Sequence, residues 1–139
     1  MDDTETPRQQ IVLGLLKNKS GKVLIISRIA PERGSDGTYL NWAFPGGVVE
    51  AGETSEEAVV REMRHETGYE TRVVKLISER DHPNYPVHIK YYQCDILNLR
   101  TSVVEETDEI DKMKWVDPMK IMEYFTSTVD PKVAQYLGI

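Results

Sequence analysis

The segment from Phe44 to Tyr69, FPGGVVEAGETSEEAVVREMRHETGY, constrains the fold more than any other stretch of the chain. An extended piece breaks at Pro45-Gly46-Gly47, and a helix follows with both of its ends specified. Thr54 and Glu57 stand three residues apart, so each side chain can accept from the other's backbone N–H and close a capping box. Gly68 is a good stop, which bounds the helix to about Ser55–Thr67. The glycines ahead of it let backbone come close to a neighbour where a side chain would obstruct.

On a wheel of about 100° per residue, Val59, Val60, Met63 and Thr67 share the face that packs on a sheet. Glu57, Arg61 and Arg64 share the solvated face, and Glu62, His65 and Glu66 form a stripe at the border of the core. Like charges at i,i+4 destabilise a helix by only a few tenths of a kcal/mol, roughly, so a plain charged surface helix is compatible with this pattern. The adjoining Pro-Gly-Gly turn favours the other reading, in which the carboxylates hold a cation.

The remaining chain supplies a frame for that helix. QIVLGLLKN and KVLIISRIA are apolar, β-branched runs joined by a turn and are expected to form a hairpin. PERGSDGTYLN is expected to be an exposed loop. ETRVVKLISER and VHIKYYQCDIL are strands around the turn HPNYP, and KMKWV is a late strand. DPMKIMEYF and DPKVAQYL are expected to be helices, each opened by an Asp-Pro cap. Strands interrupted by one helix and closed by others imply an α/β (α+β) fold with a mixed sheet flanked by helices.

With 139 residues the chain suits one domain, 1–139, in which 1–7 form a short polar tail. Its net charge of −6 argues against general nucleic-acid binding, which needs a basic face, but not against a phosphate-bearing small molecule bridged by cations. No apolar run is long enough to span a bilayer, and the acidic start is wrong for a leader, so no membrane association is expected. The single cysteine, Cys94, is expected to be a small buried side chain, and a cytoplasmic location is the default.

From Gly47 the order runs Gly47, five residues, Glu53, seven residues, then Arg61-Glu62-Met63-Arg64-His65-Glu66-Thr67-Gly68-Tyr69. This resembles the Nudix box of the MutT-like pyrophosphohydrolases, Gx5Ex7REUxEExGU with U bulky and apolar. Every fixed position matches except the first Glu of the EE pair, where His65 stands. The resemblance implies a Nudix-like α/β/α sandwich and Mg²⁺- or Mn²⁺-dependent hydrolysis of a nucleoside diphosphate linked to another group. It implies Glu62 and Glu66 as helix metal ligands, Glu62 also as general base, the Gly46 carbonyl as a backbone ligand, and Glu53 with Arg61 as the supporting pair. It also implies one acid ahead of the last core strand. Glu109 is the first choice and Glu106 the second, among Glu105, Glu106, Asp108, Glu109 and Asp111.

Three roles stay open for His65: ligand to a softer metal, a side chain that steps aside for water, or the mark of a lost metal. Arg28 and Arg33 are candidates for phosphate contacts, each equally compatible with a solvated arginine. Tyr39, Trp42 and Phe44 are candidates for base stacking, although Trp42 and Phe44 suit packing as well. Pro83, Tyr85 and Pro86 point to two substrate subgroups at once and separate neither. The size favours nucleoside triphosphate hydrolysis to the monophosphate and pyrophosphate. ADP-ribose or nucleotide-sugar hydrolysis, or a catalytically weak nucleotide-binding module, are the alternatives. The oligomeric state is not written in the sequence.

Overall fold

Unbroken apolar runs are expected where a strand is covered on both faces. In the computed structural model the first such run, β1 (Gln9–Leu16), sends Val12 and Leu16 into one core cluster and Leu15 into another. The structure describes residues 8–33, 39–83, 85–97, 110–125 and 128–139, with the side chains at 28–33, 39–41 and 110–112 outside the description. Further along come β2 (Val23–Arg33), β3 (Tyr39–Ala43), β4 (Gly46–Val48), α1 (Ser55–Thr67), β5 (Thr71–Asp81), β6 (Val87–Ile96) and β7 (Ile110–Val116). A 3₁₀ segment, Pro118–Glu123, and α2 (Pro131–Leu137) follow.

A mixed four-stranded sheet has the order β4-β1-β6-β5. Within it β1 runs parallel to β6, from Gln9↔Val87 to Leu16↔Cys94, and antiparallel to β4, with Leu13↔Gly46 and Val12↔Gly47. The order β3-β2-β7 forms a second, antiparallel sheet of three strands. Ala58, Val59 and Met63 of α1 pack with Val12, Leu16, Leu24, Tyr92 and Cys94. The other cluster joins Ile121, Val133 and Leu137 to Leu15, Val23, Ile25 and Tyr91. The expected mixed sheet flanked by helices is therefore present. Cys94 is buried, and that burial pushes its thiol up to about 12.

Three local expectations change. The β1–β2 turn forms, with Asn18 Oδ1 accepting from the Ser20 and Lys22 N–H groups at 2.9 Å each, but only the bridge Lys17↔Val23 joins the strands. Each run is apolar on both faces, so each becomes an interior strand of its own sheet and leaves no hairpin. The expected loop at 31–41 is partly strand, because β2 continues to Arg33 and β3 begins at Tyr39, with a register shift between Ser27 and Glu32. Ladder hydrogen bonds carry these polar ends without a hydrophobic period.

The third change is at DPMKIMEYF, which forms a 3₁₀ turn instead of an α-helix. Asp117 caps it, accepting from the Met119 N–H at 2.9 Å. Only Ile121 is buried there, while Met119 and Met122 are 71% and 54% exposed, so no apolar stripe supports a longer helix. The second Asp-Pro pair does open an α-helix, with Asp130 Oδ1 accepting from Lys132 N–H at 2.8 Å and Val133 N–H at 3.2 Å.

Candidate active site

Local chemistry fixes α1 first. Thr54 Oγ1 accepts from the Glu57 N–H at 3.1 Å, and Glu57 Oε1 accepts from the Thr54 N–H at 2.8 Å. At the other end Gly68 takes the left-handed conformation, φ 80°, and donates to the Arg64 carbonyl at 3.0 Å.

Glu62 and Glu66 are not at the border of the core. The buried residues of α1 are Ala58, Val59, Glu62, Met63, Glu66 and Thr67, which places both carboxylates within the buried face. Glu66 is 0% and Glu62 8% exposed. His65 is half-buried, on the Arg61 side of that arc. The cause is β4, which lies against this part of the helix. The Gly46 N–H donates to Glu66 Oε1 at 2.7 Å. A Cβ on Gly47 would stand 2.8 Å from Glu62 Cδ, and one on Gly46 would stand 2.0 Å from the Val12 carbonyl oxygen. Gly46 thus lets β4 close on β1, and Gly47 lets the same strand close on the Glu62 carboxylate.

Arg61 locks this arrangement. Its Nε and Nη2 donate to the two oxygens of Glu53, each at 2.9 Å, and Nη1 donates to Glu62 Oε1 at 2.5 Å. Nη2 also reaches the Val48 carbonyl at 3.1 Å, while the Glu50 N–H donates to Glu53 Oε1 at 2.9 Å. Such bidentate pairs are geometrically specific as well as strong. The Arg61 hydrogen bonds, then the Glu50 N–H, hold Glu53 down at about 2. Reciprocally, the Glu53 hydrogen bonds hold Arg61 above its ordinary value, against its partial burial. The wheel set Arg61 and Arg64 on a solvated face, while the family resemblance implied that Arg61 pairs with Glu53. Arg61 holds that partner, and Arg64 pairs with Glu70 at 2.6 and 2.9 Å.

The donor chemistry fits a hard divalent cation, since buried carboxylates and a strand backbone supply oxygen. Among the described residues no three His, Cys, Asp or Glu side chains form a metal-holding group. Glu105, Glu106, Asp108 and Glu109 lie outside the described residues, and so does the side chain of Asp111. The register Arg28↔Ile110 brings the backbone just after Glu109 beside β2. The side chains of Arg28, Arg33 and Tyr39 are also outside the description. Trp42 meets Tyr124 edge-on at 5.5 Å and Phe44 meets Phe125 at 5.0 Å, so both serve packing. Tyr69, directly after α1, meets Trp115 of β7 at 6.0 Å.

Sequence reasoning missed Gly47 as the residue that makes room for Glu62, and Glu50, whose Oε1 lies 3.4 Å from Arg61 Nε. The Gly-Gly pair was the available signal for the first. Glu50 gave none, because a loop has no period from which to read direction.

The NUDIX domain family matches residues 7–137. The 8-oxo-dGTP diphosphatase of Escherichia coli (strain K12) is 35% identical over 81 residues, covering 58% of this chain and 59% of that protein. An ADP-ribose pyrophosphatase of Methanocaldococcus jannaschii is 43% identical over 67 residues, covering 48% of this chain and 36% of that one. The chain thus spans less than two thirds of the length of either curated relative. In fold it is similar to the crystal structure of a MutT protein from Methanosarcina mazei Go1, with a TM-score of 0.68, 23% identity and coverage of 98% and 94%. No helix among the described residues is long and apolar enough to cross a membrane. With a family match over nearly its whole length, the chain belongs to the Nudix family.

Proposed function

We propose that this chain acts as one Nudix domain that hydrolyses a nucleoside diphosphate linked to another group, cleaving a nucleoside triphosphate to the monophosphate and pyrophosphate. The observation that carries the reading is the Gly46-Gly47 edge laid on buried Glu62 and Glu66, with Arg61 joining Glu62 to Glu53. Glu62, Glu66, the Gly46 carbonyl and one late-loop acid, Glu109 first, would hold Mg²⁺ or Mn²⁺. When bound, the cation neutralises phosphate charge and lowers the pKa of the attacking water. Glu62 takes the proton of that water, and Arg61 keeps its carboxylate in place. Glu53 fixes Arg61 and need not touch substrate. Arg28 and Arg33 are the proposed phosphate contacts. His65, half-buried beside these carboxylates, is proposed to stand aside from the ligand set.

A second reading, ADP-ribose as substrate, draws on the 43% identity to the pyrophosphatase of that name. Turnover of a panel of nucleoside triphosphates, ADP-ribose and nucleotide sugars with Mg²⁺ and with Mn²⁺ tests both, with Glu62→Gln as the blank. Release of pyrophosphate from a triphosphate supports the first reading, and AMP released from ADP-ribose alone supports the second. Nucleotide binding with no turnover under either metal would favour a binding module instead.

A further inference from the structure

Strands β5 and β6 pair antiparallel, with His88 opposite Asp81 in the register. His88 Nδ1 lies 3.0 Å from Asp81 Oδ1, and its Nε2 lies 2.8 Å from Glu79 Oε1. An ionised carboxylate only accepts hydrogen bonds, and a neutral imidazole carries a single N–H. A neutral ring would therefore set a lone pair against one of these oxygens. Only the doubly protonated ring satisfies both contacts.

The other charges at this end are arranged around that cation. Arg8 Nε lies 3.3 Å from Asp81 Oδ2, the oxygen that the ring does not use. Lys90, two residues along β6, is the register partner of Glu79, and His82 follows Asp81 directly. His88 is also level with Gln10 of β1, whose carbonyl accepts the Val49 N–H at 3.0 Å. Val49 begins the loop that carries Glu53. The clasped end of the sheet is therefore the end from which that loop departs.

We propose that the His88 imidazolium is a pH-operated clasp, tying the head of β6 to the end of β5 when charged and releasing it when neutral. Hydrogen bonds to Asp81, then to Glu79, raise the ring's pKa from 6.5, with partial burial opposing them. A group raised on folding contributes its stability in full below about 6.5 and loses it as pH rises through the folded value. Exposed ion pairs contribute little free energy, so the clasp is read by titration and local exchange and not by the melting temperature.

The test follows the His88 ring nitrogens by NMR through pH 5–9 in the wild type, Glu79→Gln and Asp81→Asn, on the full chain. The clasp requires an imidazolium at pH 6.5, a midpoint above the ordinary imidazole value, and a lower midpoint in each variant. A neutral tautomer at pH 6.5, or a midpoint that either variant leaves in place, overturns it. Exchange of the His82 amide, which donates to the Val87 carbonyl at 2.9 Å, supplies the second readout. Measured against His88→Gln to cancel base catalysis, wild-type protection should be several-fold greater below the midpoint and equal above it. A ratio that does not change with pH overturns the clasp even if the midpoint is raised.

Discussion

At the scale of single residues, the site depends as much on two missing Cβ atoms as on the carboxylates. Gly47→Ala would place its methyl 2.8 Å from Glu62 Cδ, against a side chain that Arg61 already holds. Glu62 must then move. The expected result is a fall in kcat of at least about tenfold, approaching the roughly hundredfold or greater loss expected for Glu62→Gln, with the fold retained. Steady-state kinetics on the accepted nucleotide, beside circular dichroism, checks both, and a fully active Gly47→Ala would dissociate Glu62's position from turnover. His65 presents the opposite case, a side chain where the family pattern has an acid. His65→Glu should raise Mg²⁺-supported turnover several-fold if the position lacks a carboxylate, and lower Mn²⁺-supported turnover if the imidazole is a ligand. Unchanged rates with both metals would mark the position as peripheral.

Single elements differ in how much of them the sequence carried. Every determinant of α1 is local: Thr54 and Glu57 at one end, Gly68 at the other, and a buried stripe between, so its bounds were legible as Ser55–Thr67. What was not legible is which part of the helix β4 would cover, and for that reason Glu62 and Glu66 were placed at the core's border. Coverage is decided by the pairing of β4 with β1, a long-range event that a helical wheel does not contain. The loop ahead of α1 has its own signature in pH. Glu53 is depressed from 4.5 to about 2, so its contribution is complete above about 4.5 and is lost as pH falls toward about 2. Denaturant unfolding between pH 2 and pH 5 should show the wild type losing stability over that interval, and Glu53→Gln, less stable at pH 5, losing less of it. Parallel curves would mean that the Arg61–Glu53 pair does not persist in solution.

For the whole molecule, fold class was legible because the order of elements was, whereas strand pairing was not. The two long apolar runs looked like a hairpin since they are adjacent and joined by a turn. Burial on both faces instead sends them to separate sheets, and apolar content alone cannot tell a strand's two neighbours. One consequence of the assembled fold can be tested without a substrate. Glu62 and Glu66 are held together under β4 only in the folded chain, so a divalent cation using them binds the native state and not the unfolded one. By mass action, a cation at tenfold its Kd adds about 1.4 kcal/mol, roughly 3–6 °C in Tm for a domain of this size. Mn²⁺ or Mg²⁺ titrated against thermal unfolding should raise Tm in the wild type and raise it much less in Glu62→Gln. If Glu62→Gln gains as much as the wild type, the cation sits elsewhere and the proposed donor set is wrong. If the shift is present while no nucleotide is hydrolysed, the carboxylates still hold the metal and the molecule is a binding module. Tm and turnover therefore separate the metal site from the chemistry built upon it.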